Sequence, residues 1–451
     1  MTNDPSHVPQ TPTPVPVSAW GRISLPGIGV DSSDLEHDSL NAQLFRGLGR
    51  SYGDSALPAS PSSVVVSTPR ADRIRFFDRE TGWLRAEAGL SLYTLNKLFL
   101  RQGWFVPVSP GTQFVTLGGM VAADVHGKNH HVDGCFGPHI RVIRLRVADG
   151  RIIECTPDHE AELFRATIGG MGLTGHILEV EFTMVRISSP WITSQTKRVN
   201  GIEEFITALK TSARDWPYTV GWIDCLSRGA AMGRGVLICG RWATAAEAPL
   251  EPPEERKMLT VPFVFPEWVL NPWTVRIFNW GYFHAHQSET KPHILHPEAF
   301  FYPLDSLREW NRIYGPRGFT QYQCILPENG DASVTKRFFQ LLTDLGGASF
   351  LCVIKDCCAE GLGMLSFPKP GISVALDIPI RSNTQNMIDR LNEFVIAAGG
   401  RIYLCKDTFT RPEHFRAMEP RLDAWLAVRR KWDPEGKIRS AQSVRLFGDT
   451  P

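Results

Sequence analysis

Apolar positions along the chain alternate between the two-residue period of strands and the three-to-four-residue period of helices. The run Ser63 to Thr68 has three valines at its centre and reads as a buried strand. Leu84 to Ala88 alternates apolar with charged residues, the pattern of a half-buried strand, and Gly89 ends it. From Ser91 to Gln102, Leu92, Leu95, Leu98 and Leu100 follow helical spacing, with Ser91 placed to cap the first turn. Ile140 to Ala148 and Arg151 to Cys155 read as two strands joined by a turn at Asp149-Gly150. A helical run, His159 to Ala166, and a strand, Ile177 to Val185, complete this part. Hairpins mixed with helices predict an α+β fold rather than a βαβ series.

The pattern changes from about residue 190 to residue 395. Strand runs at Val220 to Cys225, Gly235 to Trp242, Thr320 to Leu326, Ser349 to Ile354 and Ile372 to Pro379 predict a second domain on an antiparallel sheet. Two helical segments, Ser333 to Leu345 and Gln385 to Ala398, intervene. The remainder is more basic and polar around a short strand, Arg401 to Cys405. Residues 1–18 carry Pro5, Pro9, Pro12, Pro14 and Pro16, which predicts a flexible, partly extended tail. A signal peptide needs a basic start and an apolar run, and neither is present. No uncharged apolar run is long enough for a spanning helix. Pro262 to Phe283 holds eight aromatic residues, three prolines and only two charges, Glu267 and Arg276. It reads either as core or domain interface, or as a mobile, partly exposed loop that meets lipid through interfacial Trp and Tyr.

The chain's 451 residues suffice for two substantial domains, and 43% hydrophobic content is globular. With 48 basic and 47 acidic residues there is no electrostatic footprint for nucleic acid. Nine cysteines occur without CxxC or Cys/His spacing, so no metal is expected and the thiols suggest a reducing compartment.

Three glycine-rich segments carry the candidate chemistry. Arg46-Gly47-Leu48-Gly49-Arg50-Ser51-Tyr52-Gly53-Asp54 reads as a cradle for a diphosphate, because glycine brings backbone N–H groups close to an oxyanion and arginine adds charge. Pro110 to Met120 supplies a turn and a Gly-Gly pair. Small residues and the polar cluster His126-Gly127-Lys128-Asn129-His130-His131 follow, suited to a flat ligand with a polar edge. The third segment is Ile168 to Ile177. Within it Gly170 to Gly175 matches GxGxxG, but a helix precedes it and a strand follows, the reverse of a dinucleotide fingerprint.

Together these motifs resemble the decaprenylphosphoryl-β-D-ribose 2′-oxidase family of the vanillyl-alcohol-oxidase superfamily. The resemblance covers roughly residues 20 to 445 and includes Gln321-Tyr322-Gln323 and Arg401 to Asp407. It implies a two-domain FAD-binding oxidase: a tail (1–18), an FAD-binding part (19–190), an inserted substrate domain (191–398) and a C-terminal return (399–451). FAD would lie against Arg46 to Asp54, then against Gly111, Thr116, Leu117, Gly118 and Gly119. His126, Gly127, Lys128, Asn129, Ile177 and Tyr403 complete the implied set. The usual linking histidine is replaced by Ser51-Tyr52, so the FAD is expected to be non-covalent. Trp222, Gln321, Gln323 and Lys355 match substrate positions. The two glutamines share a strand face, and Lys355, at the end of the run from Phe350 to Ile354, could pair with phosphate. Lys406, expected at a strand end before Asp407, and His126 are the implied catalytic residues. Ser373 and Ala375 stand where some members carry Asn or Cys.

The implied reaction oxidises the ribose 2′-hydroxyl of a polyprenylphosphoryl-ribose to a ketone. A separate NAD(P)-dependent short-chain reductase would complete an epimerisation to the arabinose form. The implied location is cytoplasmic, or peripheral at the inner face of the plasma membrane. Oxidation of another sugar, polyol or aldonolactone, and a non-catalytic flavin-binding role, remain alternatives.

Overall fold

Four N-terminal strands set up the first glycine loop in the computed structural model, which describes residues 13–328 and 332–451. They are β1 (Val15–Ser18), β2 (Ser24–Asp31), β3 (Leu44–Arg46) and β4 (Val64–Ser67), in the order β1-β2-β4-β3. The tail expected over 1–18 is corrected at its end: Val15–Ser18 pairs antiparallel with β2. Val15 and Val17 alternate around Pro16, and proline is tolerated on an edge strand. Residues 1–12, where the rest of that expectation falls, lie outside the described residues.

An antiparallel sheet follows, from β5 (Ile74–Phe77), β6 (Trp83–Glu87), β7 (Ile140–Arg146), β8 (Ile152–Cys155) and β9 (His176–Thr183), in the order β5-β6-β9-β7-β8. Between β6 and β7 lie α1 (Leu92–Phe99) and α2 (Leu117–Ala122); α3 (Ala161–Thr167) precedes β9. Ser91 Oγ accepts from Thr94 N–H, as its position predicts, and Leu92, Leu95 and Phe99 are buried. The order α3, GxGxxG, β9 is opposite to that of a dinucleotide fold.

The largest sheet is built from β10 (Ile192–Val199), β11 (Tyr218–Ile223), β12 (Gly235–Trp242), β13 (His293–Leu295), β14 (Phe319–Leu326), β15 (Cys352–Cys357), β16 (Gly371–Pro379) and β17 (Arg401–Ile402). Their order is β13-β10-β12-β11-β15-β16-β14-β17. Three helices, α4 (Ile202–Ser212), α6 (Ser333–Asp344) and α7 (Thr384–Ala397), bring Phe205, Phe338 and Leu391 into the core. Phe205 lies against Gly221, where a Cβ would come within 2.4 Å of its ring, and Phe338 lies against Tyr322. Those strand positions alternate with Val220, Trp222, Gln321 and Gln323, so the second set points to the other face.

Three expected elements are shifted. The strand expected at Ser349 to Ile354 begins at Cys352, because Ser349 Oγ engages both backbone groups of Leu351 and holds a turn there. The strand expected to reach Cys405 ends at Ile402, and Lys406 lies beyond it in a turn closed by Lys406 N–H to Tyr403 O and Asp407 N–H to Leu404 O. The aromatic stretch is largely a helix, α5 (Pro272–Ala285), not a loop. Asn271 and Thr274 form a capping box, Pro272 opens the first turn, and Val275, Asn279 and Phe283 bury one stripe at helical spacing. The opposite stripe is exposed: Trp273 and Ile277 at 71% and Trp280 at 59%. Among the described residues no helix is long and apolar enough to cross a membrane.

Candidate active site

The uncovered face of the large sheet and the glycine loops of the N-terminal half enclose one cavity of about 680 Å³. Its floor is a row of cross-strand neighbours: Gln323 pairs with Ala375, Ala375 with Val353, and Val353 with Trp222. Gln321 and Lys355 flank that row and also line the cavity. The expected shared face of the two glutamines is therefore present.

Each glutamine is held. Gln321 Nε2 donates to Asp377 Oδ1 at 2.6 Å, and the Tyr314 hydroxyl donates to Asp377 Oδ2 at 2.7 Å. Burial raises the Asp377 carboxyl to about 6 despite these donors. Gln323 Nε2 meets His126 Nε2 at 2.9 Å and Ser373 Oγ at 3.1 Å. An amide donor there makes Nε2 the acceptor and puts the ring proton on Nδ1, which is buried without a protein partner. Burial, then the charges of Lys355, His130 and Lys406, hold His126 well below the ordinary histidine pKa, so it is neutral at pH 7.

Three half-buried lysines face the same space. Desolvation lowers Lys355 to about 8 and Lys128 to about 7, and it lowers Lys406 as well. Lys128 Nζ donates to Phe301 O at 3.0 Å, and Lys406 Nζ stands 3.8 Å from the centre of the Tyr52 ring. Among the described residues no hydrogen bond or ion pair holds the ammonium of Lys355 or Lys406. Unpaired ammonium groups in a cavity wall are suited to a phosphate or an ionising hydroxyl.

The expected cofactor residues divide. Gly47, Leu48, Gly49, Arg50, Ser51 and Tyr52 line the cavity, as do Gly111, Thr116, Gly118 and Gly119. His126, Gly127, Lys128, Ile177 and Tyr403 line it too. Five others do not, and each has a structural task. Arg46 turns its guanidinium to Ala56 O at 3.0 Å and Ser18 O at 2.6 Å. Leu117 is core. Asn129 Nδ2 donates to Pro107 O and Asp133. Asp54 shares Arg445 with Asp407, each at 2.8 Å. A Cβ at Gly53 would fall 1.7 Å from Asp407 O, so only glycine lets the loop lie against the Lys406 turn. Tyr52 N–H, bonded to Cys405 O at 3.0 Å, and Tyr403 N–H, bonded to Gln323 O at 3.0 Å, fasten that turn to both the loop and the sheet.

Asp377, Tyr314 and Trp20 escaped the sequence reading. Trp20 lies 3.9 Å under the Arg50 guanidinium. Asp377 did have a signal: it is the sole charge in the apolar run from Ile372 to Pro379.

The cradle fits an extended polar cofactor. Gly111 and Gly172 line the cavity, and a Cβ at either would meet no protein atom within 4 Å. Arg50 Nε, like His126 Nδ1, is buried without a partner. Residues 41–156 match the model of an FAD binding domain. The chain is 35% identical over 415 residues to the decaprenylphosphoryl-β-D-ribose oxidase of Mycolicibacterium smegmatis, covering 89% of this chain and 88% of that one. It is 30% identical over 371 residues to an uncharacterised protein of Streptomyces coelicolor, covering 79% of this chain and all of that one. A putative D-arabinono-1,4-lactone oxidase of Neurospora crassa is 24% identical over 240 residues, 51% of this chain and 42% of that one. With the glycine cradle, the lysine-lined cavity and near full-length similarity in agreement, the chain is an FAD-dependent oxidoreductase and belongs to the decaprenylphosphoryl-β-D-ribose oxidase family.

Proposed function

We propose that the chain oxidises the ribose 2′-hydroxyl of a polyprenylphosphoryl-ribose to the 2′-ketone. The observation that carries this reading is the pair of lysines, Lys355 and Lys406, facing one cavity beside the FAD cradle with no hydrogen bond or ion pair to either amino group among the described residues. Bound FAD, held non-covalently because Ser51-Tyr52 offers no linking histidine, supplies the hydride acceptor. Lys355, with Lys128 beside it, binds the phosphate. Gln321, fixed by Asp377, and Gln323, fixed by His126 and Ser373, orient the ribose hydroxyls. Lys406 Nζ, whose pKa burial lowers, takes up the proton of the 2′-hydroxyl in its neutral amine form, or as the ammonium stabilises the alkoxide that forms there. His126, being neutral, acts as an orienting acceptor rather than an acid.

The reading extends to organisation and partners. Residues 19–190 with 399–451 form the FAD-binding domain, and 191–398 the substrate domain. A separate NAD(P)-dependent short-chain reductase consumes the ketone. The protein works in the cytoplasm or at the inner membrane face, with the exposed stripe of α5 on the bilayer. That stripe carries Arg276 on the same helix, while Glu267, the acid just before the helix, is paired with Arg317; this favours an anionic lipid surface. Tyr282 near the end of the same helix lines the cavity, so the helix that carries the exposed stripe also forms part of the cavity wall.

The test is anaerobic mixing of purified holoprotein with polyprenylphosphoryl-ribose, with flavin absorbance as the readout. Bleaching by the lipid-linked ribose and none by aldonolactones or polyols is expected. Bleaching by an aldonolactone alone overturns the reading.

A further inference from the structure

The cavity is longer than a sugar phosphate needs. Its floor crosses the sheet from β14, which carries the glutamines, to β10, where Ser194 and Thr196 line it. Five strand steps of about 4.8 Å make this about 24 Å. The chemistry occupies the span from β14 to β15, where Lys355, Lys406 and His126 gather. Beyond Lys355 the floor passes over Val353 and Trp222 to Val220 and Ile238, and it reaches Leu295 on edge strand β13. Lys128, against the Phe300 and Phe301 rings, flanks this stretch, and His286, Glu289 and His293 also line the cavity.

The roof of this far arm is also apolar. Tyr282 of α5 packs on Trp222 with ring centroids 4.4 Å apart, and Phe283 joins Trp222 and Val236 in one cluster. The inner stripe of α5 thus covers the arm while its outer stripe, Trp273, Ile277 and Trp280, is exposed. An apolar trough that starts at a phosphate-sized cluster of lysines and ends under an exposed aromatic helix matches a phosphate ester with a long hydrocarbon tail. A free sugar phosphate would leave this apolar surface wet.

We infer that the arm over Val353, Val220, Ile238 and Leu295 is a binding site for the first prenyl units of the lipid tail, leading the chain out beneath α5. The inference rests on the proposed reaction and adds that the tail is recognised inside the protein rather than left in the bilayer.

The experiment compares the farnesyl and methyl esters of phosphoryl-ribose as detergent-free substrates of the holoenzyme, by flavin reduction. The wild type should prefer the farnesyl ester in kcat/KM by at least about tenfold, the discrimination that even one methylene gives in an apolar pocket. Ile238→Trp and, separately, Leu295→Trp fill the arm and should lower that preference about tenfold, while Ile238→Val keeps it. Flavin absorbance of each purified variant establishes that it is folded. A wild type indifferent to the tail, or variants that lose both esters equally or keep the full preference, overturn the inference and leave the reaction standing. A wild type that oxidises neither ester overturns the proposed reaction and the inference with it.

Discussion

Replacing Lys355 with methionine should make the substrate-free protein more stable and the enzyme worse. Lys355 sits in the cavity wall without a protein partner, and desolvation brings its pKa from 10.5 to about 8. That depression corresponds to about 3 kcal/mol of charge burial. Water in the cavity screens part of it, which leaves about 1–3 kcal/mol for Lys355→Met to recover. Because the folded pKa lies below the unfolded one, both states are protonated below pH 8 and the full penalty applies there. Between pH 8 and 10.5 the folded protein gives up its proton first, so the penalty fades as pH rises and the wild type closes on the variant. Thermal unfolding without substrate, at pH 7 and pH 10, measures both effects. With substrate the sign reverses. Removing one partner of a desolvated charge pair costs about 2–5 kcal/mol, so the half-saturation concentration for flavin reduction should rise at least about 30-fold. The limiting reduction rate should change little. In the wild type kcat/KM should fall as pH rises through about 8 and Lys355 loses its charge. Lys355→Arg, which stays protonated, should abolish that fall. An unchanged half-saturation concentration in Lys355→Met, together with a lowered melting temperature, would refute the phosphate-binding role and recast Lys355 as a packing residue.

Lys406→Ala should keep FAD bound and slow flavin reduction by about 10², because one proton-transfer or electrostatic group is lost; rapid-mixing absorbance measures this. Lys406→Arg should restore little, since a planar fork does not fit the site of a small ammonium over the Tyr52 ring. Acid precipitation should release all the flavin into the supernatant, and yellow colour in the pellet would reveal a covalent link. Changing Trp273, Ile277 and Trp280 together to Ser should reduce co-sedimentation with anionic liposomes while leaving FAD bound; equal sedimentation would show that α5 faces something other than lipid.

Much of the architecture was legible because its elements are regular. Ser91 caps a helix whose leucines repeat every three to four residues, and Gly235–Trp242 begins and ends where its pattern does. The misplaced elements share a cause that no period reveals. At Ser349 a side chain captures the local backbone, and after Ile402 the chain leaves the sheet to make bonds with residues far away in sequence. Helix α5 was hidden because apolar residues occupy nearly its whole circumference, so no polar face marks the period. In the site, glycine motifs identified the part of the cavity wall that comes from the N-terminal half. They could not separate Arg46 and Asp54, which hold the loop, from Arg50 and Tyr52, which line the cavity, because side-chain direction depends on partners such as Ser18 and Arg445. Asp377 was missed because its importance lies in what it orients, Gln321 and Tyr314.

The fastening of Tyr52 to Cys405 has a consequence for biosynthesis. The two residues are about 350 positions apart, yet their bond places Lys406 against the first glycine loop. At about 5–20 residues per second, a ribosome needs roughly 20–70 s to traverse that interval. Throughout that time the loop is synthesised but lacks the segment that closes it. A truncated product that stops before residue 405 therefore carries the glycine motif without the Lys406 turn that packs against it.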